Sequence, residues 1–317
     1  MITMNHLQKE IGLVDMRVLM IFIDGFGLGE RDETKNPYVR ARTPTLDRLL
    51  GGHCLYQDVG IVVGPLAVML PTDTTLGVPG LPQSATGQTT LWTGINAAQV
   101  VGYHVNAYPT KTLRELLSSH SIFKVVTERG KKATFANAFR PQYFELAAQG
   151  KARNSTSTQA TLSAGLPLRT FDDLAAGNAI YQDITNELLR LWGFDLPLIE
   201  PELAGTRLAR IADDYDFTLF EYFQSDRAGH RGDLKRGMEI IELLDRFLGA
   251  VIAETNLSQS LIIVTSDHGN LEDISVETHT LNPVPTILIQ ENIVANYPVI
   301  TSLTQINDYV LQVIDRA

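Results

Sequence analysis

The sequence predicts an α/β protein with a mostly parallel central sheet, helices on both faces and a small inserted lid. Short runs rich in β-branched residues alternate with segments of helical pattern along most of the chain. Three of those runs lead into Asp and His residues, as strands do when they deliver ligands to the carboxyl edge of an open sheet. One polar stretch rich in small residues, 141–201, breaks the alternation.

The first element in chain order is the apolar run Arg17–Ile23, which reads as a buried strand with Asp24 at its end. Residues 43–50 read as a short helix, with Thr43 placed to cap it and Pro44 at its first position. Turn residues from Pro79 lead to Ser84, and a helical segment starts directly after it. A helix over 111–119 and a strand over 131–137 follow. The run 217–223 reads as a strand leading to Asp226 and His230, and Gly229 between these two favours a loop over a helical i, i+4 pair. Leu234–Glu254 has the pattern of a long amphipathic helix. The run 261–266 reads as a strand leading to Asp267 and His268. Adjacent residues on a regular strand face opposite ways, but the turn marked by Gly269 and Asn270 brings both toward one ion. His279 stands ahead of Pro283 and Pro285, which imply a rigid extended turn. Residues 301–315 read as a closing helix. The core is thus expected over 1–140 and 202–317. Within the lid, 154–159 are polar and 171–176 and 184–191 are compatible with helix; an elaborated surface loop is the plainer reading of the same stretch.

Composition sets limits on what this fold does. The 317 residues, 44% of them hydrophobic, suffice for a sizeable core. The 26 Lys and Arg against 36 Asp and Glu give a net charge of −10, which argues against a nucleic-acid or anionic-membrane partner. A phosphorylated substrate would need local positive charge, which bound divalent ions supply. Cys54 is the only cysteine, so neither an intrachain disulfide nor a thiolate zinc cluster is expected. No apolar run approaches the roughly 18 residues of a membrane helix. With no signal-peptide pattern ahead of Arg17, these features point to a cytoplasmic protein. Oligomeric state is not legible.

Seven residues form the candidate metal-ligand set: Asp24, Ser84, Asp226, His230, Asp267, His268 and His279. Singly, each has a plainer explanation. Asp at a strand end is usually a turn residue, a lone His is usually structural, and Ser before a helix is an ordinary N-cap. Together they use three of only seven histidines, each in a loop marked by Gly or Pro. Ser84 at a helix start would meet unpaired backbone N–H groups and the positive end of the helix dipole, which suits a phosphoryl group or an alkoxide. A serine bound to a divalent ion also loses its proton more readily. Gly25-Phe-Gly27-Leu-Gly29 lacks the spacing and following helix of a dinucleotide fingerprint.

The pieces Ile23-Asp24-Gly25-Phe26-Gly27, Gln83-Ser84-Ala-Thr-Gly87-Gln88, Asp226-Arg-Ala-Gly-His230, Thr265-Ser-Asp267-His268-Gly269-Asn270 and His279-Thr-Leu-Asn-Pro-Val-Pro285 follow in an order that resembles the alkaline phosphatase superfamily. The resemblance is strongest to the branch of cofactor-independent phosphoglycerate mutase and phosphopentomutase. It implies two divalent ions, Mn²⁺ or Zn²⁺, one on Asp24, Ser84, Asp267 and His268, the other on Asp226, His230 and His279. It also implies attack by Ser84 on phosphorus and a phosphoserine intermediate, with a small phosphorylated substrate.

Departures from the relatives separate the possible reactions. The mutases carry His where Gln88 stands, and a much larger inserted domain with its own arginine and acidic cluster. An insertion of about sixty residues favours hydrolysis, hence a phosphomonoesterase. An intramolecular phosphomutase and a phosphodiesterase are the alternatives, and an inactive metal-binding scaffold is the non-enzyme alternative. The sulfatase motif is missing, because Ser84-Ala-Thr-Gly-Gln lacks its proline and arginine. Arg140 and Arg153 are candidates for holding a substrate anion, since a guanidinium fork matches phosphate or carboxylate oxygens; solvated surface arginines are the plainer reading.

Overall fold

The computed structural model describes residues 16–52 and 55–315; Cys54 lies outside them. Among the described residues, seven strands form one sheet: β1 (Arg17–Ile23), β2 (Val62–Val63), β3 (Ala67–Thr72), β4 (Ala133–Phe135), β5 (Phe217–Tyr222), β6 (Ser260–Thr265) and β7 (Val284–Ile289), in the order β2-β3-β7-β6-β1-β5-β4. The block β6-β1-β5-β4 is parallel, as the sequence predicts.

Beyond Arg17, β1 has no polar position because the sheet is covered on both faces. Its Leu19, Ile21 and Ile23 enter one core, with Leu208, Ile240, Leu244 and Phe247 from the helices Pro201–Asp213 and Leu234–Glu254. Its Val18, Met20 and Phe22 enter the other, with Leu91 and Trp92 of the helix Ser84–Thr93 and Ile306 and Val310 of Thr304–Asp315. Burying each large apolar side chain contributes roughly 1.5–3 kcal/mol, so the middle strands concentrate the stabilising burial.

The far edge differs from a simple parallel sheet. β7 runs antiparallel to β6, β3 antiparallel to β7, and β2 antiparallel to β3. The extended turn expected around Pro283 and Pro285 is therefore the start of a strand. Pro285 pairs with Pro71 of β3, beyond Met69 and Ile287, the last residues paired to the outer neighbours β2 and β6. A proline there costs no outer ladder bond.

The stretch 141–201 holds helices Pro141–Ala148, Thr156–Ser163, Phe171–Ala175 and Glu187–Leu191. Its polar run is not a solvated loop. Thr156, Ser157, Thr158 and Thr161 are buried, and Ala160 joins the core on the face covered by the helix Ser84–Thr93. Asn137 and Ala138 bridge to Ile180 and Arg169, which extends the sheet edge beyond β4.

Candidate metal centre

Parallel strands β1, β5 and β6 end side by side and bring five of the seven expected ligands to one edge, with Ser84 at the start of the helix Ser84–Thr93 and His279 in the loop before β7. Ser84 is half-buried, with its Oγ 3.0 Å from His268 Nε2. That nitrogen also lies 3.3 Å from Asp24 Oδ1 and 3.6 Å from Asp267 Oδ2. Asp226 stands 3.4 Å from His230 Nε2 through Oδ2 and 3.5 Å from His279 Nε2 through Oδ1. The rings of His268 and His279 stack at 3.6 Å, so the two groups are contiguous. Asp226, His230 and His279 form one cluster of donor atoms, and Asp24, Asp226 and His268 a second, with Asp226 shared.

Whether the donors fit divalent ions is decided by their hydrogen bonds. His230 Nδ1 lies 2.8 Å from the Glu277 carbonyl and His279 Nδ1 lies 2.8 Å from that of Pro82. A carbonyl only accepts, so both Nδ1 atoms carry the proton and both Nε2 atoms present lone pairs. Those lone pairs face each other at 3.2 Å beside the Asp226 carboxylate. Buried Asp24 Oδ1 has no hydrogen-bond partner. Donors arranged against one another in this way fit cations between them, and nitrogen and oxygen donors without thiolate suit Mn²⁺ or Zn²⁺.

Electrostatics agree with this reading. Burial, then Asp267, Asp226 and Glu221, hold the Asp24 carboxyl well above its usual range. Burial also raises Asp267. Burial lowers His268, which keeps its imidazole neutral and able to ligate. Asp226 is pushed up by burial, but its contacts with His279, His268 and Asn270 outweigh that and hold it at about 2. His279 is raised because its contacts with Asp226 and the Pro82 carbonyl outweigh burial.

Residues the sequence reading did not assign hold this geometry. Asn270 Nδ2 donates to Asp226 Oδ1 at 2.6 Å and to the Asp226 carbonyl at 3.1 Å. Buried Glu272 accepts from Gly27 N, Asn270 N, Asn282 Nδ2 and the Thr280 hydroxyl, tying the three ligand loops together. Gln88 Nε2 donates to Asp267 Oδ2 at 3.2 Å. Gly25, at φ +65°, lets Asp226 approach, since a Cβ there would meet its Oδ1 at 2.8 Å. Glu221, in the middle of apolar β5, is buried and pushed up to about 7 by that burial. A charge inside the run Phe217-Thr-Leu-Phe-Glu221-Tyr-Phe223 was the available signal.

Two local expectations are corrected. Asp226 and His230 do not sit in a loop: Gln224–Gly229 is helical, His230 is its C-cap, and His230 N bonds to Asp226 O, so the two are an i, i+4 pair. Gly229 does not break the helix; its missing Cβ makes room for the Asn270 amide. Ser84 does open the helix Ser84–Thr93, but the N–H groups of Ala85 and Thr86 bond to the Val105 carbonyl, and that of Gly87 to the Gln83 carbonyl. They do not offer an anion site, so positive charge must come from ions and arginines.

Arg140 and Arg153 are both exposed and line one cavity of about 300 Å³, together with Glu221 and Phe223. Arg140 lies 4.4 Å over the ring of Trp192 and Arg153 lies 4.1 Å over that of Tyr108.

Against known proteins, the Metalloenzyme superfamily model matches residues 201–314. A 2,3-bisphosphoglycerate-independent phosphoglycerate mutase of Cereibacter sphaeroides is 38% identical over 96 residues, 28% of this chain and 19% of that protein. The chain thus spans about a fifth of the length of the curated relatives it matches. A Pyrococcus horikoshii protein, PH0037, has a TM-score of 0.58 at 18% identity, covering 96% of this chain and 98% of that one. The alkaline phosphatase of the Antarctic bacterium TAB5 has a TM-score of 0.55 at 14% identity, covering 95% and 98%. Residues 201–314 thus match the Metalloenzyme superfamily model, and the fold as a whole resembles that of the TAB5 alkaline phosphatase. The resemblance drawn from the motifs is borne out, as is the likeness to enzymes. No helix among the described residues is long and apolar enough to cross a membrane.

Proposed function

We propose that the protein is a phosphomonoesterase that transfers a phosphoryl group from a small phosphorylated metabolite to Ser84 and then to water. One observation carries the reading. The hydroxyl of Ser84 joins His268, Asp24 and Asp267 at one end of a cluster whose other end is Asp226, His230 and His279. Asp24, Ser84, Asp267 and His268 would hold one divalent ion and Asp226, His230 and His279 the other. Such ions, when bound, supply charge against the phosphoryl oxygens and lower the pKa of bound hydroxyls.

The chain's own groups set up the attack. Helix Ser84–Thr93 packs so closely that a Cβ at Gly87 would meet Asp267 Cβ and O at 2.9 Å, which fixes Oγ at the sheet edge. His268 Nδ1 faces the Gly269 carbonyl at 3.4 Å, which turns its Nε2 lone pair toward Ser84 Oγ, so that both would hold the same ion and the half-buried hydroxyl, made more acidic there, would release its proton to solvent. Oγ forms the bond to phosphorus as the substrate's ester oxygen leaves, and water then cleaves the phosphoserine.

Hydrolysis is preferred to mutase chemistry because 141–201 is short and much of it is spent in packing the core. An intramolecular phosphomutase is the second reading, favoured by the likeness to the phosphoglycerate mutase of Cereibacter sphaeroides. The single cysteine and acidic charge support a cytoplasmic setting. The test is phosphate release from sugar phosphates, phosphoglycerates, nucleotides and p-nitrophenyl phosphate, after chelation and reloading with Mn²⁺ or Zn²⁺. Metal-dependent release that Ser84→Ala abolishes is expected; isomerised product without release would make it a mutase.

A further inference from the structure

The cavity that holds Arg140 and Arg153 adjoins the metal centre. Its wall includes Phe223, three residues before Asp226, and Tyr108, three residues beyond the Val105 carbonyl that anchors the helix of Ser84. Its volume, about 300 Å³, is at the lower end of small-molecule sites, roughly 300–1,000 Å³. Phe135, Phe139, Tyr181 and Phe223 supply flat apolar surface.

The polar groups of the wall are largely spent on one another. Asn137 gives its amide to the Glu221 carbonyl and its oxygen to the Glu221 N–H. Ser155 and Thr158 share a hydroxyl–hydroxyl bond of 2.8 Å. The Tyr143 hydroxyl donates to Asn154, and the Gln182 oxygen accepts from Gln224. A polyhydroxylated body would find few partners here, and unpaired hydroxyls against aromatic rings are costly. The guanidiniums are different. Each is held by an aromatic face, which leaves the donor edge of the fork available, and neither has a carboxylate partner among the described residues.

We propose that this cavity selects phosphate monoesters whose alcohol is a flat, apolar body carrying a second anionic group, with Arg140 and Arg153 holding that second anion. The proposal rests on the phosphomonoesterase reading. Phosphoryl transfer takes place at Ser84 as described above; the arginines set specificity.

The test compares kcat/KM for 4-carboxyphenyl phosphate, phenyl phosphate and phosphoglycolate on the metal-loaded full chain. These probes carry ring and carboxylate, ring alone, and carboxylate alone. Wild type should prefer 4-carboxyphenyl phosphate to each of the others by about tenfold to a hundredfold, the scale of charge-assisted hydrogen bonds. Arg140→Gln and Arg153→Gln should each shrink its advantage over phenyl phosphate, and together bring the ratio near one. Because the ratio is taken within each preparation, loss of folded protein cancels. Turnover of all three at equal efficiency, a ratio unchanged in the double variant, or preference for phosphoglycolate would overturn the specificity while leaving the phosphatase standing. No phosphate release from any probe or from the wider panel would sink the phosphatase reading itself.

Discussion

The two halves of the centre are built from similar residues and sit in opposite environments. Around Ser84, the side chains of Asp267 and His268 are fully buried, with Asp24 nearly so, and the carboxyls of Asp24 and Asp267 are pushed up by burial and by neighbouring carboxylates. Around Asp226, the His230 side chain is 41% exposed and the carboxyl is held at about 2 by imidazoles. The buried half sets two carboxyls against a single imidazole; the open half sets one carboxylate between two imidazoles. For the two ions proposed, the difference predicts one that is held tightly and one that exchanges. The inner one relieves buried repulsion and should be held tightly, while the outer one should load and leave through His230.

Breaking the comparison at its centre has the largest expected effect. Ser84→Ala should lower kcat for phosphate release by about 10⁴-fold or more, with metal content unchanged, read by single-turnover assay and elemental analysis. Next, His268→Ala and His230→Ala should diverge. The first removes a fully buried donor and should leave activity unrecovered at high Mn²⁺; the second should raise the metal concentration for half-activity by about a hundredfold and recover at saturation. Equal behaviour of the two variants would remove the distinction between inner and outer halves.

Asn270→Ala tests the link between them. Removing the amide from Asp226 should weaken metal binding by about 10–100-fold, the usual scale for a partner of a ligand, as seen by titration calorimetry.

The smallest effect is in stability. Glu221 has its carboxyl raised from 4.5 to about 7 in the folded chain, so the folded state holds the proton more tightly than the unfolded one. Its stabilising contribution is present below the lower value and lost as pH rises through the upper one, about 3 kcal/mol in all. Chelated protein should therefore lose Tm between pH 5 and 7.5, and Glu221→Gln should flatten that slope. An unchanged slope would show that Glu221 is not the group responsible.

Much of this was legible in the sequence, for identifiable reasons. β1 and β6 are buried on both faces, so continuous apolar runs marked them, and Leu234–Glu254 showed its amphipathic period over the whole length. The ligand set was legible because Gly and Pro marked each loop. Local rules failed where tertiary contacts decided. Gly229 looked like a helix breaker, yet the Asn270 amide fills its space; Pro285 looked like a turn, yet it pairs opposite Pro71 inside the sheet. The hydroxyl-rich run before Ser163 looked solvated, yet it packs on the face covered by the helix Ser84–Thr93. Glu272 gave no signal, because its role is to tie the distant Gly27 loop to its neighbours Asn270 and Asn282, a contact that no local pattern shows.

The most direct test of the account is the number of divalent ions per chain, counted by elemental analysis after reloading wild type, His230→Ala and His268→Ala at fixed free metal. Two ions in wild type and one in each variant are predicted. One ion in wild type, lost entirely in either variant, would mean that all seven ligands serve a single site, and would contradict two-metal phosphoryl transfer at Ser84.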